Sequence, residues 1–181
     1  MNFEFLIKIL YLLLPAAVTN MMPVFVRKIN FLDYPLDFNL KFFGCRLFGK
    51  NKTFRGLVFG ILGSIIVVLL QTFLYRYEFF SNLSLINYNL VNSIGFGFLI
   101  GFSVLLGDLV GSFVKRRFGF KPGEHLFILD QINGGVGFAL LIVLPYFRSL
   151  SLALGVILVW FVGHLVIKYL GYLLGIYKEK I

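Results

Sequence analysis

Long apolar runs with few polar interruptions recur along the whole chain of 181 residues. Each run is close to the roughly 20 residues that a helix needs to cross a bilayer. We therefore predict an all-α, polytopic membrane protein that forms a single integral membrane domain over residues 1–181. The predicted spans are, approximately, 3–25, 56–75, 90–114, 134–147 and 151–175.

The first predicted span contains Pro15, where we expect the helix to break, and it is closed by Pro23. A cleaved signal peptide is the alternative, but Glu4 stands where a basic segment is expected, and the apolar stretch continues to Phe25. We therefore predict a retained helix. Span four is short and lies close to span five, which predicts a tight helical hairpin.

Composition supports the membrane assignment, because 59% of residues are hydrophobic, 14% are charged, and the mean hydropathy is +0.91. A soluble domain averages about a quarter charged residues. The single cysteine excludes a disulfide framework and a cysteine-ligated metal site. Polar residues crowd at the ends of the spans, and no inverted repeat is evident, so a small transporter or a membrane scaffold is a weaker interpretation.

The net charge of +9 comes from basic residues that are distributed unevenly. Thirteen of the 17 Lys and Arg residues fall in the loops 26–55 and 115–133 and in the tail. Because such residues collect in the cytoplasm, we predict that the loops and the C-terminus are cytoplasmic and that the N-terminus is outside. The same rule explains the charge without a nucleic-acid partner, and we predict none.

The first polar cluster directly precedes span two and contains Lys50, Lys52, Thr53 and Arg55. Thr53 is a suitable helix cap, and we expect the first-turn amides and the positive end of the helix dipole to be free for an anion. The three cations suit a phosphate. The alternative interpretation is a basic membrane flank with an ordinary cap.

The second cluster lies at the end of span three, where Asp108, Ser112 and Lys115 share one helical face. Arg116 and Arg117 follow at once. Because an ionisable group within a span is expensive, Asp108 is a functional candidate. The alternative is a structural ion pair of Asp108 with Lys115 or with a neighbouring helix.

The third cluster contains Asp130 and Asn133, which we expect to lie at the membrane surface just before span four. Two carboxylates and a polar amide near several cations suit Mg²⁺ bound together with substrate phosphates. His125 is a candidate base, although a lone loop histidine is more often neither a base nor a ligand.

Several of these stretches, in this order, resemble the CDP-archaeol synthases, which are membrane cytidylyltransferases related to the phosphatidate cytidylyltransferases. The resemblance covers about residues 10–140. Its main motif is Gly107-Asp108, Ser112-Phe113 and Lys115-Arg116-Arg117, followed by Pro122-Gly123 and Leu129-Asp130-Gln131. Further similar stretches are Leu14-Pro15, Asn20, Pro23-Val24, Pro35-Leu36-Asp37-Phe38 and Gly49–Gly56.

The resemblance implies that the chain transfers a cytidylyl group from CTP to an isoprenoid ether-linked glycerol phosphate, giving a CDP-lipid and pyrophosphate. It implies catalytic roles for Asp108, Asp130 and Lys115. It also implies Mg²⁺ as cofactor, with Asp108 and Asp130 as ligands and Asn133 as a weaker ligand. The implied substrate-binding residues are Lys50, Lys52, Thr53, Arg55, Ser112, Arg116 and Arg117. Asn133 departs from the family's acidic residue at that position. The alternative acceptor is diacyl phosphatidate, which would give CDP-diacylglycerol.

Overall fold

The fold is given by a computed structural model, which describes residues 2–121, 124 and 126–173, without the side chains of Phe127 and Gly171. The α-helices of this part are α1 (Phe3–Phe25), α2 (Phe54–Leu74), α3 (Glu78–Leu83), α4 (Ser93–Arg117), α5 (Phe127–Phe138), α6 (Leu144–Phe147) and α7 (Leu150–Leu173). A 3-10 turn, Val26–Lys28, extends α1, and a π-helical segment, Ala139–Val143, joins α5 to α6. The strands β1 (Lys41–Phe42) and β2 (Cys45–Arg46) form an antiparallel hairpin between α1 and α2.

Five helical segments in the described residues are long and apolar enough to cross a membrane, with mean hydropathies between 1.6 and 2.5. They are Phe3–Lys28, Phe54–Leu74, Ser93–Arg117, Ile128–Phe147 and Leu150–Leu170. The prediction of an all-α, multi-pass membrane protein is thus confirmed. We call the end of the bundle that carries the β-hairpin and the C-terminus of α4 the basic end.

The fourth span begins earlier than its hydropathy suggests, since α5 starts at Phe127 and not near residue 134. Asp130 and Asn133 therefore lie within a helix. The expectation that they belong to the loop before span four is wrong. The reason is packing: α5 lies against α4, so Gln131 and Asn133 are 0% and 7% exposed despite their polarity. Reading the apolar run alone misses the start of a span whose polar residues are covered by a neighbouring helix.

The expected break at Pro15 is wrong, because α1 continues through both Pro15 and Pro23. A proline instead disturbs the fourth span, where Pro145 follows the π-helical segment. Proline has no N–H for the carbonyl four residues before it, and its ring crowds that carbonyl. Widening the preceding turn to the π form accommodates this mismatch.

Glycines set the distances between helices along three seams. A Cβ atom built on Gly97 or Gly101 of α4 would lie 2.7 or 2.9 Å from a backbone Cα atom of α2. Cβ atoms on Gly107 and Gly137 would collide with backbone carbonyls across the α4–α5 seam. A Cβ atom on Gly60 of α2 would lie 3.2 Å from the backbone carbonyl of Thr19 in α1, a less close approach. Small residues permit such close backbone approach in membrane bundles.

Polar side chains lie within the bundle as well as at its ends, contrary to the sequence-based expectation. Gln71 of α2 is 2% exposed. Its amide donates to the carbonyl of Tyr11, at 2.7 Å, and accepts from the hydroxyl of Tyr88, at 2.8 Å. These contacts join α1, α2 and the loop before α4, and they satisfy an amide that would be costly to bury alone.

Asp37 organises the loop between α1 and α2. Its carboxylate accepts hydrogen bonds from Arg46, at 2.5 and 3.1 Å, and from the backbone amides of Asn39, Phe48 and Gly49. Burial alone would raise the pKa of Asp37, but these donors favour the ionised form and hold the pKa below its ordinary value. The loop is therefore an ordered part of the molecule.

Candidate active site

The N-terminus of α2 is fully occupied by contacts within the chain. Thr53 is the cap, and its hydroxyl oxygen accepts from the amide of Gly56 at 3.3 Å. The amides of Phe54 and Arg55 donate to the carbonyls of Tyr34 and Leu32 at 3.0 and 2.8 Å. The expectation that these amides are free for an anion is therefore wrong, although the cap itself is present.

Lys52 approaches Asp108 from the loop just before this helix, and the two form an ion pair. Both side chains are partly exposed, at 26% and 33%. They line a cleft of about 60 Å³ between α1, α2 and α4, which is enough for a few water-sized groups but not for a nucleotide. The residues that line it are Pro23, Leu36, Asn51, Lys52, Thr53, Gly56, Leu57, Leu105, Asp108 and Leu109.

Lys115 forms the second pair, with Asp130 of α5 at 2.5 Å. The lysine ammonium also donates to the carbonyl of Glu124 at 3.2 Å. The second carboxylate oxygen of Asp130 accepts from the amide of Leu126 at 3.0 Å, which stabilises the start of α5. Asp108 and Lys115 share a face of α4, but each is paired with a different segment. Of the structural alternative, the pair between these two residues is therefore wrong, whereas a pair of Asp108 with a neighbouring segment is present.

Asn133 lies in the α4–α5 seam. A Cβ atom on Gly111 of α4 would overlap the side-chain amide of Asn133, so this glycine provides the space that the amide fills. Gly111 is about one helical turn beyond Asp108, and Asn133 is one turn beyond Asp130. Asp130 and Asn133 thus present a carboxylate and an amide on the side of α5 that faces α4, whereas Asp108 faces Lys52 in the cleft. Oxygen ligands of these types fit a hard cation such as Mg²⁺.

Three of the predicted phosphate-binding arginines are engaged by the protein itself. Arg55, 6% exposed, donates to the carbonyl of Ile29 and pairs with Asp33 at 2.8 Å. Arg116 donates to the carbonyl of Phe120 at 2.5 Å. Arg117 donates to carbonyls of the β-hairpin. These side chains stabilise the loops around the site.

The remaining predicted residues differ in accessibility. Lys50 is exposed at the surface of the loop, and it has no ion pair within the described residues. Ser112 is 5% exposed within α4. His125, the candidate base, lies outside the described residues.

Polar residues to which the sequence reasoning assigned no role lie further inside the bundle. Asn20 of α1 is within 3.2 Å of the Nε2 atom of His164 on α7. Gln131 is fully buried, and neither polar atom of its amide has a hydrogen-bond partner among the described residues. His164 could have been singled out from the sequence, because an ionisable residue inside a long apolar run is uncommon in membrane helices.

The basic end of the bundle thus holds two lysine–carboxylate pairs and a buried amide beside a cleft. Lysines provide compact positive charges for phosphates. The lysines and their carboxylate partners can exchange partners when polyanions and cations enter. The arrangement suits the binding of phosphate groups at the end of the spans.

A family model described as CarS-like, CDP-archaeol synthase, matches residues 2–180. The CDP-archaeol synthase of Thermofilum pendens is 36% identical over 171 residues, which cover 90% of this chain and 75% of that protein. The enzyme of the same name from Methanocaldococcus jannaschii is 29% identical, with 89% and 96% covered.

Among solved structures, an intramembrane enzyme for archaeal membrane lipid biosynthesis matches with a TM-score of 0.65 and 28% identity. The match covers 86% of this chain and 89% of that chain. The family model spans nearly the whole sequence, and the solved structure agrees with the five-helix bundle. This chain belongs to the CDP-archaeol synthase family.

Proposed function

We propose that this protein transfers the cytidylyl group of CTP to an isoprenoid ether-linked glycerol phosphate, which gives CDP-archaeol and pyrophosphate. The observation that carries the proposal is the pairing of Lys52 with Asp108 in the cleft between α1, α2 and α4. This pairing supports phosphate-binding chemistry at the end of the spans, where a lipid head group meets water. The family membership supports the choice of both substrates.

In the proposed reaction an oxygen of the lipid phosphate attacks the α-phosphorus of CTP. One phosphorus–oxygen bond forms, and the bond from this phosphorus to the β-phosphate oxygen breaks, so pyrophosphate leaves. Because the attacking oxygen is already anionic, the step requires no serine or cysteine nucleophile. The main obstacle is the repulsion between two polyanions, which positioned charges reduce.

Lys52 and Lys115 are the cations that we assign to phosphate binding. Each is held by a carboxylate, so its ammonium is fixed in position before the substrates arrive. The hydroxyl of Ser112 and the side chain of Lys50 are further candidates. We assign Arg55, Arg116 and Arg117 a positioning role, because their guanidinium groups hold loop carbonyls around the site.

Mg²⁺ is the metal that we propose, held by Asp108, Asp130 and Asn133. When bound, it would neutralise phosphate charge and favour the departure of pyrophosphate. Each carboxylate that holds the metal would release its lysine, and the lysine would then be available to a phosphate oxygen. Before the substrates bind, each of the four side chains is neutralised by its partner in the pair. Afterwards the metal would take that place for the carboxylates, and phosphate oxygens would take it for the lysines.

The test is incubation of the purified protein with labelled CTP, Mg²⁺ and one lipid phosphate, followed by measurement of lipid-extractable label. We expect label with the ether-linked acceptor and an equal amount of pyrophosphate. A better rate with diacyl phosphatidate would favour the alternative product, CDP-diacylglycerol. Labelling of the corresponding lipid alcohol, but not of the phosphate, would refute the assignment.

Two substitutions separate catalysis from structure. Asp108→Asn and Asp130→Asn should each reduce turnover by about 100-fold or more, because they remove charge at the reacting phosphates. Glu78→Gln is the matched control, since Glu78 is an exposed carboxylate at the opposite end of α2. Loss of folded protein in step with activity would instead indicate that these two aspartates are structural.

A further inference from the structure

The loop between α1 and α2 exposes a group of large apolar side chains around its β-hairpin. Phe38, Leu40, Phe42 and Phe43 are 67%, 58%, 49% and 86% exposed, and we call them the hairpin surface. The rings of Phe42 and Phe43 are in contact, with centroids 4.5 Å apart. The ring of Phe38 lies beside that of Phe54, with centroids 5.3 Å apart. Isolated exposed apolar residues are ordinary, but several large ones within one short loop indicate an interaction surface.

The backbone holds two of these rings in an uncommon conformation. Phe38 has a φ of +46° and Phe43 a φ of +50°, a region that bulky side chains rarely adopt. Both positions are exposed, so burial of the rings within the protein does not explain this conformation. The loop is therefore shaped to present aromatic rings outward.

The same loop presents a positively charged surface to its surroundings. Both of its acidic residues are engaged internally, Asp33 with Arg55 and Asp37 with Arg46. Four exposed basic residues have no ion pair in the described part of the chain, namely Arg27, Lys28, Lys41 and Lys50. Exposed aromatic rings beside lysines suit the boundary between anionic head groups and acyl chains.

Arg117 fixes the hairpin at the level of that boundary. Its guanidinium donates to the carbonyls of Phe42, Cys45 and Arg46, and it lies over the ring of Phe42, 5.5 Å from its centroid. Arg117 is the last residue of α4, a membrane-spanning helix. The hairpin surface is thus attached where a span leaves the bilayer.

We propose that the hairpin surface inserts into the head-group layer of the membrane that the helices cross, and that anionic lipid is its partner. The loop then rests on the bilayer beside the cleft, and it is not suspended in water. The rings supply apolar contact, while the four basic residues attract anionic head groups. This inference concerns the position of the loop and does not depend on the reaction proposed above.

The test uses Cys45, the single cysteine of the chain. Cys45 is exposed and pairs across the hairpin with Phe42, so both side chains lie on the same face. A nitroxide attached to Cys45 in nanodiscs with anionic lipid reports its surroundings through relaxation by oxygen, which enters lipid, or by a nickel chelate, which stays in water. We expect stronger relaxation by oxygen than by the chelate.

Two labels in a Cys45→Ser background provide the scale. Ile66→Cys places a label on an exposed position of α2, and Asn89→Cys places one in the polar loop before α4. The ratio of relaxation by oxygen to relaxation by the chelate at Cys45 should lie between the ratios of the two controls and nearer to that of Ile66→Cys. A Cys45 label as open to the chelate as the one at position 89 overturns the proposal. Protection from both reagents overturns it as well, because it indicates a protein partner.

A double variant tests the rings themselves. In the variant with Phe42→Ser and Phe43→Ser, the ratio of oxygen to chelate relaxation at Cys45 should change towards the ratio at position 89. The helical circular dichroism should stay unchanged. An unchanged depth in the folded double variant would show that these two rings do not hold the loop in the lipid. In nanodiscs of neutral lipid, the Cys45 label should lie closer to water, so its relaxation by the chelate should increase.

Discussion

At the scale of single residues, the charged side chains of this chain connect segments that are distant in sequence. Lys52 meets Asp108, and Asp37 meets Arg46. The sequence singled out Lys52 in a basic cluster, and Asp108 because an ionisable group within a span is expensive, but it assigned no role to Asp37 or Arg46. It did not identify the partners, since Lys115 and Lys52 are chemically equivalent candidates for Asp108. Only the packing of the loop against α4 decides between them.

Asp37→Asn should lower the stability of the protein by roughly 2–4 kcal/mol at neutral pH, because it leaves Arg46 and several amides without their anionic partner. The wild-type pKa is lowered by folding, so the stabilisation is present above the unfolded pKa of about 4 and is lost as the pH falls further. Thermal unfolding of both proteins in detergent checks this. The difference between them should be largest at pH 7 and shrink below pH 4; a constant difference would contradict the role of the charge.

Asn133→Asp should leave turnover intact or raise it, and the Mg²⁺ concentration for half-maximal activity should fall. A carboxylate is a better ligand than an amide for a hard cation, and the two side chains have nearly the same shape. Titration of activity with Mg²⁺ measures the effect. Severe loss in a folded variant would mean that position 133 does not face the metal.

At the scale of the helices, the length of the apolar runs was sufficient to predict five spans, because the bilayer sets the length of a spanning helix. The apolar runs did not predict the start of α5, because Asp130 and Asn133 are polar but belong to the helix. They also gave no information on how the helices pack. The spacing of Gly97 with Gly101, and of Gly107 with Gly111, carried that signal, since small residues four apart form one face of a helix.

Gly137→Ala should destabilise the bundle by about 1–3 kcal/mol or more, because the added methyl group meets the carbonyl of Ser103 in α4. Gly163→Ala in α7 is the matched control, since nothing described lies within 4 Å of its Cβ position. That variant should be neutral or more stable by about 0.5–1 kcal/mol. Thermal unfolding in detergent compares them. Equal effects would show that the α4–α5 seam is looser than the structure indicates.

At the scale of the whole molecule, the positions of Lys50 and Glu78 at opposite ends of α2 make the orientation testable. The excess of basic residues around Lys50 predicts that this end is cytoplasmic. In a Cys45→Ser background, a membrane-impermeant thiol reagent should modify Glu78→Cys in intact cells. It should modify Lys50→Cys only after lysis. Modification of Lys50→Cys in intact cells would reverse the predicted orientation.

The glycine seams also have a consequence for how the bundle comes apart. In the described residues α1, α2, α4 and α5 touch backbone to backbone, whereas α7 is attached through side chains. These include the buried Leu152 and Val156 and the indole of Trp160, which lies against Gly134 and Gly135. Side-chain contacts of this kind are lost more easily than a close backbone seam. During slow heating, the amide hydrogens of α7 should therefore exchange with deuterium before those of α4. Four helices would then remain as the last protected unit.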